Sequence, residues 1–89
     1  MNTFNDLDFQ PMQHEIGIGV KARIDFDNGY GVSVIRSPYS YGGNQGLYEL
    51  AVIKDNNLCY DTPITDDVLG YLTEDQVTDY LRQIQELKS

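Results

Sequence analysis

The sequence predicts an α+β domain: an antiparallel β-meander of about four strands, covered on one face by a C-terminal α-helix. Three observations carry this expectation. Apolar and polar residues alternate from Ile16 to Phe26 with the period of a half-buried strand. The turn-forming clusters Asp27-Asn28-Gly29 and Asp55-Asn56-Asn57 cut the following chain into strand-length pieces. From Val77 to Leu87 the apolar residues recur at helical spacing.

The elements follow in order. Residues 1–14 show no clear period and contain Pro11, so they are expected to form an N-terminal tail or docking segment anchored by Phe4, Leu7 and Phe9. Residues 15–89 make the single α+β domain. Its first strand places Ile16, Ile18, Val20, Ala22, Ile24 and Phe26 on a buried face, with Lys21, Arg23 and Asp25 toward water. Gly17 and Gly19 fall on that second face, where missing side chains permit a bend or the close approach of another chain. Asn28 and Gly29 tolerate the positive φ of a tight primed hairpin turn, which returns the chain as a strand from Tyr30 to Arg36.

Residues 37–46 (Ser-Pro-Tyr-Ser-Tyr-Gly-Gly-Asn-Gln-Gly) are expected to form an exposed loop, being too rich in Gly and Ser for regular pairing. Leu47 to Lys54 carries apolar residues on both faces, as a central or covered strand does, and Leu58 to Asp61 completes the meander. Beyond Pro63, Thr65 is read as the cap of a single helical turn that runs through Leu69 and stops at Gly70. The main helix has the clearest start signal. Thr73 with Gln76 three residues later is a capping box, and Leu72 before the cap is placed to staple onto Val77. Its stripe of Val77, Tyr80, Leu81, Ile84 and Leu87 should lie across the sheet, leaving Glu74, Asp75, Asp79, Arg82 and Glu86 toward water.

Composition narrows the function. The 89 residues suffice for one domain with a modest core, and a roomy internal active site is not expected. Fourteen acidic residues against six basic ones give a net charge of -8. That balance repels a phosphate backbone, whose binding depends on Lys and Arg displacing counterions, and it equally repels an anionic membrane. A protein with a basic surface is the natural partner. Cys59 is the single cysteine, no secretory signal opens the chain, and no apolar run approaches the roughly 20 residues that span a bilayer, so a cytoplasmic protein is expected.

Two constellations stand out. Between Asp55 and Tyr80 lie seven acidic residues, Asp55, Asp61, Asp66, Asp67, Glu74, Asp75 and Asp79, with no Lys or Arg among them. Turn formation, helix capping and solvation account for acids at such places. Gathered into one patch, the same carboxylates imitate the spaced phosphates of a duplex and fit a cleft built for nucleic acid. The second constellation is aromatic. Seven tyrosines occur without a Trp, and Tyr39 and Tyr41 flank a serine in the Gly-rich loop. Core packing explains Tyr48, Tyr60 and Tyr80, whereas tyrosines in an exposed loop suit a binding surface because they offer contact area at low entropic cost.

Catalytic and metal readings find little support. The loop glycines lack the Lys-Ser/Thr pair of a phosphate-binding loop. Asp25, Asp27 and Gly29 begin like a calcium loop but break its spacing, with Gly29 at a ligand position and no closing glutamate. One His and one Cys do not make a structural zinc site, and no spacing supports Cys59 as a nucleophile with His14 and Asp61. No enzyme, metal or cofactor is expected.

Three stretches carry a resemblance: Asn28-Gly29-Tyr30-Gly31-Val32-Ser33-Val34; Tyr39-Ser40-Tyr41-Gly42-Gly43 with Gly46-Leu47-Tyr48-Glu49; and Tyr60-Asp61-Thr62-Pro63-Ile64-Thr65-Asp66-Asp67-Val68-Leu69-Gly70-Tyr71-Leu72. Over roughly residues 20 to 87 the chain resembles a group of small proteins of tailed bacteriophages and prophages that has no assigned activity. The resemblance implies a setting in the host cell cytoplasm and supplies no catalytic residue. Within that setting the expected function is inhibition of a host nucleic-acid-handling or defence protein, an anti-CRISPR being one instance and nucleic-acid mimicry one route. Asp61, Asp66, Asp67, Glu74, Asp75 and Asp79 would attract the partner, with Tyr39 and Tyr41 as anchors. Two competing expectations are a small-ligand protein that sequesters a nucleotide-like signal with the Gly/Tyr loop, and a virion accessory protein. A monomer, or a dimer built along the first strand, is expected.

Overall fold

The computed structural model describes residues 2–13, 18–38, 40–55, 57–58 and 68–87. It is an α+β fold: an open antiparallel meander with a C-terminal helix packed on it. The strands are β1 (Gln10–Gln13), β2 (Ile18–Asp25), β3 (Tyr30–Arg36), β4 (Tyr48–Lys54), β5 (Asn57–Leu58) and β6 (Leu69–Leu72), followed by the helix α1 (Glu74–Gln85). The sheet runs β1-β2-β3-β4-β5, and β6 lies off this path, paired with β4.

Register explains which residues are buried. Ala22 pairs with Val34 and Ile24 with Val32, which in turn pairs with Val52, while Val34 pairs with Leu50. Paired residues share a face, so these side chains form one apolar surface. Val77, Leu81 and Ile84 of α1 close over it, joined by Tyr48 and Leu72, while Tyr80 and Leu87 of the expected helical stripe are partly buried against this core. Leu50, Leu81 and Ile84 are fully enclosed, and burial of such side chains is worth about 1.5 to 3 kcal/mol each. The start of α1 has its expected cap. Thr73 N donates to Gln76 Oε1 at 2.9 Å, and Gln76 N donates to Thr73 Oγ1 at 3.2 Å.

Several elements depart from expectation for identifiable reasons. The segment anchored by Phe4, Leu7 and Phe9 continues into a strand, β1, which pairs with β2 from Gln10↔Lys21 to Gln13↔Ile18. The long strand β2 is therefore covered over these residues and is not the sheet edge. Phe4 meets Tyr48 edge-on at 5.1 Å between centroids, and Phe9 lies 5.5 Å from both rings. Backbone polar groups of the same segment find partners on the helix: Phe4 N donates to Thr78 Oγ1, and Asn2 exchanges two hydrogen bonds with the Gln85 side chain, each 3.0 Å long.

The β2–β3 connection is a three-residue loop. Phe26 N donates to Tyr30 O, Gly29 N donates to Phe26 O, and Gly29 alone of the loop residues has positive φ, at 87°. This is a turn ending in a left-handed glycine, not the two-residue primed turn expected of Asn-Gly. The helical turn expected through Leu69 is replaced at Leu69 by strand β6; Thr65, Asp66 and Asp67 lie outside the described residues, as do Cys59, Tyr60 and Asp61 of the expected fourth strand. No helix among the described residues is long and apolar enough to cross a membrane.

Candidate functional site

A short strand and an irregular loop meet at one end of β4. Tyr48 pairs with Leu72 and Leu50 with Leu69, so two residues of β6, Gly70 and Tyr71, stand opposite the single residue Glu49. Two against one is the count of a β-bulge, a device that breaks the ladder and re-aims a side chain. Tyr71 carries the distortion, with φ at 57°, in the left-handed region that a bulky aromatic residue rarely enters. Its side chain is turned outward and is 56% exposed.

The loop after β3 closes on this bulge. Tyr71 N donates to Tyr41 O at 3.2 Å, and Tyr41 N donates to Glu49 Oε1, also at 3.2 Å. The approach depends on missing side chains: a Cβ on Gly70 would stand 2.5 Å from Tyr41 Cβ, and one on Gly42 would stand 2.9 Å from Tyr71 Cα. Behind Tyr41 the loop is ordered by Ser40 Oγ, which accepts from Ser37 N at 2.9 Å, and by a 3-10 turn over Gly43–Gln45. Tyr41 is 58% exposed. Tyr41 and Tyr71 are the large apolar side chains most open to solvent among the described residues, and a hydrogen bond joins their backbones. Large exposed aromatics on a constrained backbone are typical binding anchors.

Of the sequence-predicted site residues, the structure describes Tyr41, Glu74, Asp75 and Asp79. Asp61, Asp66, Asp67 and Tyr39 lie outside the described residues. Glu74 and Asp75 occupy the first turn of α1, exposed and only three and four positions beyond Tyr71. Asp79 belongs to a different arrangement. Arg82, one turn on, donates to Asp79 Oδ1 and lies 3.5 Å from Glu86, and Gln83 donates to Asp79 Oδ2 at 3.1 Å. The hydrogen bond from Arg82 holds the Asp79 carboxyl below its ordinary value of 3.8. Asp79 is thus internally compensated, whereas no ion pair involves Glu74 or Asp75 among the described residues.

Sequence reasoning missed Tyr71 and Glu49. The stretch Leu69-Gly70-Tyr71-Leu72 reads as the end of a helical turn, and nothing local reveals a bulge created by pairing with a strand some twenty positions earlier. Among the described residues no group of three or more His, Cys, Asp or Glu is gathered as a metal site.

Comparison of the chain with protein-family models, with curated proteins and with solved structures gives no match.

Proposed function

We propose that this chain is a binding protein that occupies a basic surface of a nucleic-acid-handling or defence protein and thereby inhibits it. The observation that carries the reading is the exposed Tyr41–Tyr71 pair, held by its backbone hydrogen bond beside Glu49 and followed closely by the exposed carboxylates of Glu74 and Asp75, which form no ion pair among the described residues. Aromatic anchors fixed in advance limit the entropy lost on binding, and neighbouring carboxylates select a cationic partner and speed encounter. The net charge of -8 acts in the same direction over longer range. The resemblance to small phage proteins supplies the setting, a host cell whose nucleic-acid-handling proteins carry basic clefts.

A displacement experiment tests this reading. Host-cell proteins retained on immobilised duplex DNA at physiological salt are washed with the purified chain. Elution of one or a few proteins is expected, and it should be lost in the doubly neutralised variant Glu74→Gln, Asp75→Asn, which keeps the Thr73 cap. Elution of nothing, or equal elution by both proteins, would overturn the reading.

A further inference from the structure

Four of the five described tyrosines divide into two kinds, and the fifth, Tyr80, is partly buried against the core. Tyr30 and Tyr48 each have a cation over the ring: Lys54 Nζ lies 4.9 Å from the Tyr30 centroid, and Arg36 Cζ lies 5.4 Å from that of Tyr48. Tyr41 and Tyr71 have none among the described residues, although they are the more exposed pair. The charged group next to their backbones is a carboxylate, that of Glu49, which stands opposite the Gly70–Tyr71 bulge. Glu49 uses one oxygen, Oε1, to accept from Tyr41 N, and no other hydrogen bond or ion pair engages its carboxylate among the described residues.

We infer that Tyr41, Tyr71 and Glu49 form a receptor for an arginine side chain presented by the partner, with the guanidinium against the tyrosine rings and hydrogen-bonded to Glu49. The chemistry on both sides matches. A ring face attracts a cation within about 6 Å of its centroid, and the planar, weakly hydrated guanidinium stacks on aromatic rings while forking hydrogen bonds to a carboxylate. The compact ammonium of lysine is more strongly hydrated and lacks the fork, so arginine is the better occupant. Apolar occupants gain nothing from Glu49, and anionic ones are repelled by it. The inference rests on the proposed function in requiring a basic partner and goes beyond it in naming the side chain and the three residues that receive it.

The test is an amide-resolved NMR titration of the full chain with two capped tripeptides, Gly-Arg-Gly and Gly-Lys-Gly. The arginine peptide should move the Tyr41, Glu49 and Tyr71 amides, and the lysine peptide should bind the same place several-fold more weakly. Tyr71→Ala should abolish the response, and Tyr71→Phe, which keeps the ring, should retain it. Glu49→Gln leaves an oxygen for Tyr41 N and so preserves the loop; it should weaken binding about tenfold, the effect of losing one charge-assisted hydrogen bond. If both peptides move only Glu74 and Asp75 and leave Tyr41, Glu49 and Tyr71 unchanged, the arginine receptor is overturned and the basic-partner reading stands. If neither peptide moves any of these five residues, both are overturned.

Discussion

The side-chain nitrogen of Asn28 donates to the carbonyl oxygen of Leu87 at 2.9 Å, joining the β2–β3 turn to the end of the helix across 59 positions of chain. The same nitrogen reaches Ile84 O at 2.9 Å and Gln85 O at 3.3 Å, while Asn28 Oδ1 accepts from Tyr30 N at 3.0 Å. One amide therefore reaches three carbonyls at the helix C-terminus, of which Ile84 O also accepts from Leu87 N, and it fixes the turn that carries it. Asn28→Asp separates these roles, because it keeps the acceptor for Tyr30 N but replaces the donor with a negative charge facing the negative end of the helix dipole. A loss of about 1 to 3 kcal/mol is expected, read as a lower midpoint in urea. An unchanged midpoint would mean that the helix end is held without Asn28.

Leu81 tests the interface between helix and sheet. It is fully buried among Val32, Val34, Leu50 and Val52 of the core cluster, so Leu81→Ala removes transferred surface and leaves a cavity. The expected cost is about 2 to 5 kcal/mol. Denaturation resembling that of the parent chain would contradict the packing of α1.

Much of this arrangement was legible in the sequence. The alternation in β2, the turn signals and the capping box at Thr73 are local patterns, and the sheet, the helix start and its buried stripe follow from them and from the helical spacing after Val77. What escaped was set by pairing between distant segments. Gln10-Pro11-Met12-Gln13 has no alternation to mark a strand, and β1 exists because β2 offers it an edge. The same holds for the bulge at Tyr71, which depends on register with β4. Asp79 is the converse case: its partner Arg82 stands three residues away, a spacing that places both on one helical face, so the compensation of that charge was readable locally.

That pair gives a prediction in pH. Asp79 titrates below its ordinary value because Arg82 hydrogen-bonds its charged form. A carboxyl whose folded pKa is depressed contributes stability that is present above the unfolded value of 3.8 and is lost as pH falls through the lower folded value. Arg82→Gln should return the Asp79 titration, followed by carboxyl-carbon NMR, toward 3.8. A titration unmoved by this substitution would remove Arg82 as the cause.

Gly70→Ala examines whether the geometry of the tyrosine pair matters apart from its chemistry. The added methyl would stand 2.5 Å from Tyr41 Cβ, so the loop and the bulge must separate although both rings remain. Loss of the hydrogen bond from Tyr71 N to Tyr41 O is expected, seen as faster amide exchange at Tyr71, together with weaker binding of the arginine tripeptide. Binding that survives intact would show that the two rings act independently of their frame.

Tyr71 offers the most discriminating comparison, because its backbone and its side chain pull in opposite directions. At φ 57° a residue with a Cβ is strained by roughly 1 to 2 kcal/mol, whereas glycine adopts the conformation freely. The exposed ring contributes little burial in the free protein to offset that strain, so the free protein alone gives little reason for a tyrosine there. Tyr71→Gly should therefore be more stable than Tyr71→Ala by about 1 kcal/mol, measured by denaturant midpoint, since both lack the ring and only alanine retains the strain. Both variants should lose the arginine tripeptide to the same extent. Equal stability of the two would show that position 71 is not held in the left-handed region. Undiminished peptide binding by either would show that the strain is maintained for something other than presenting the ring.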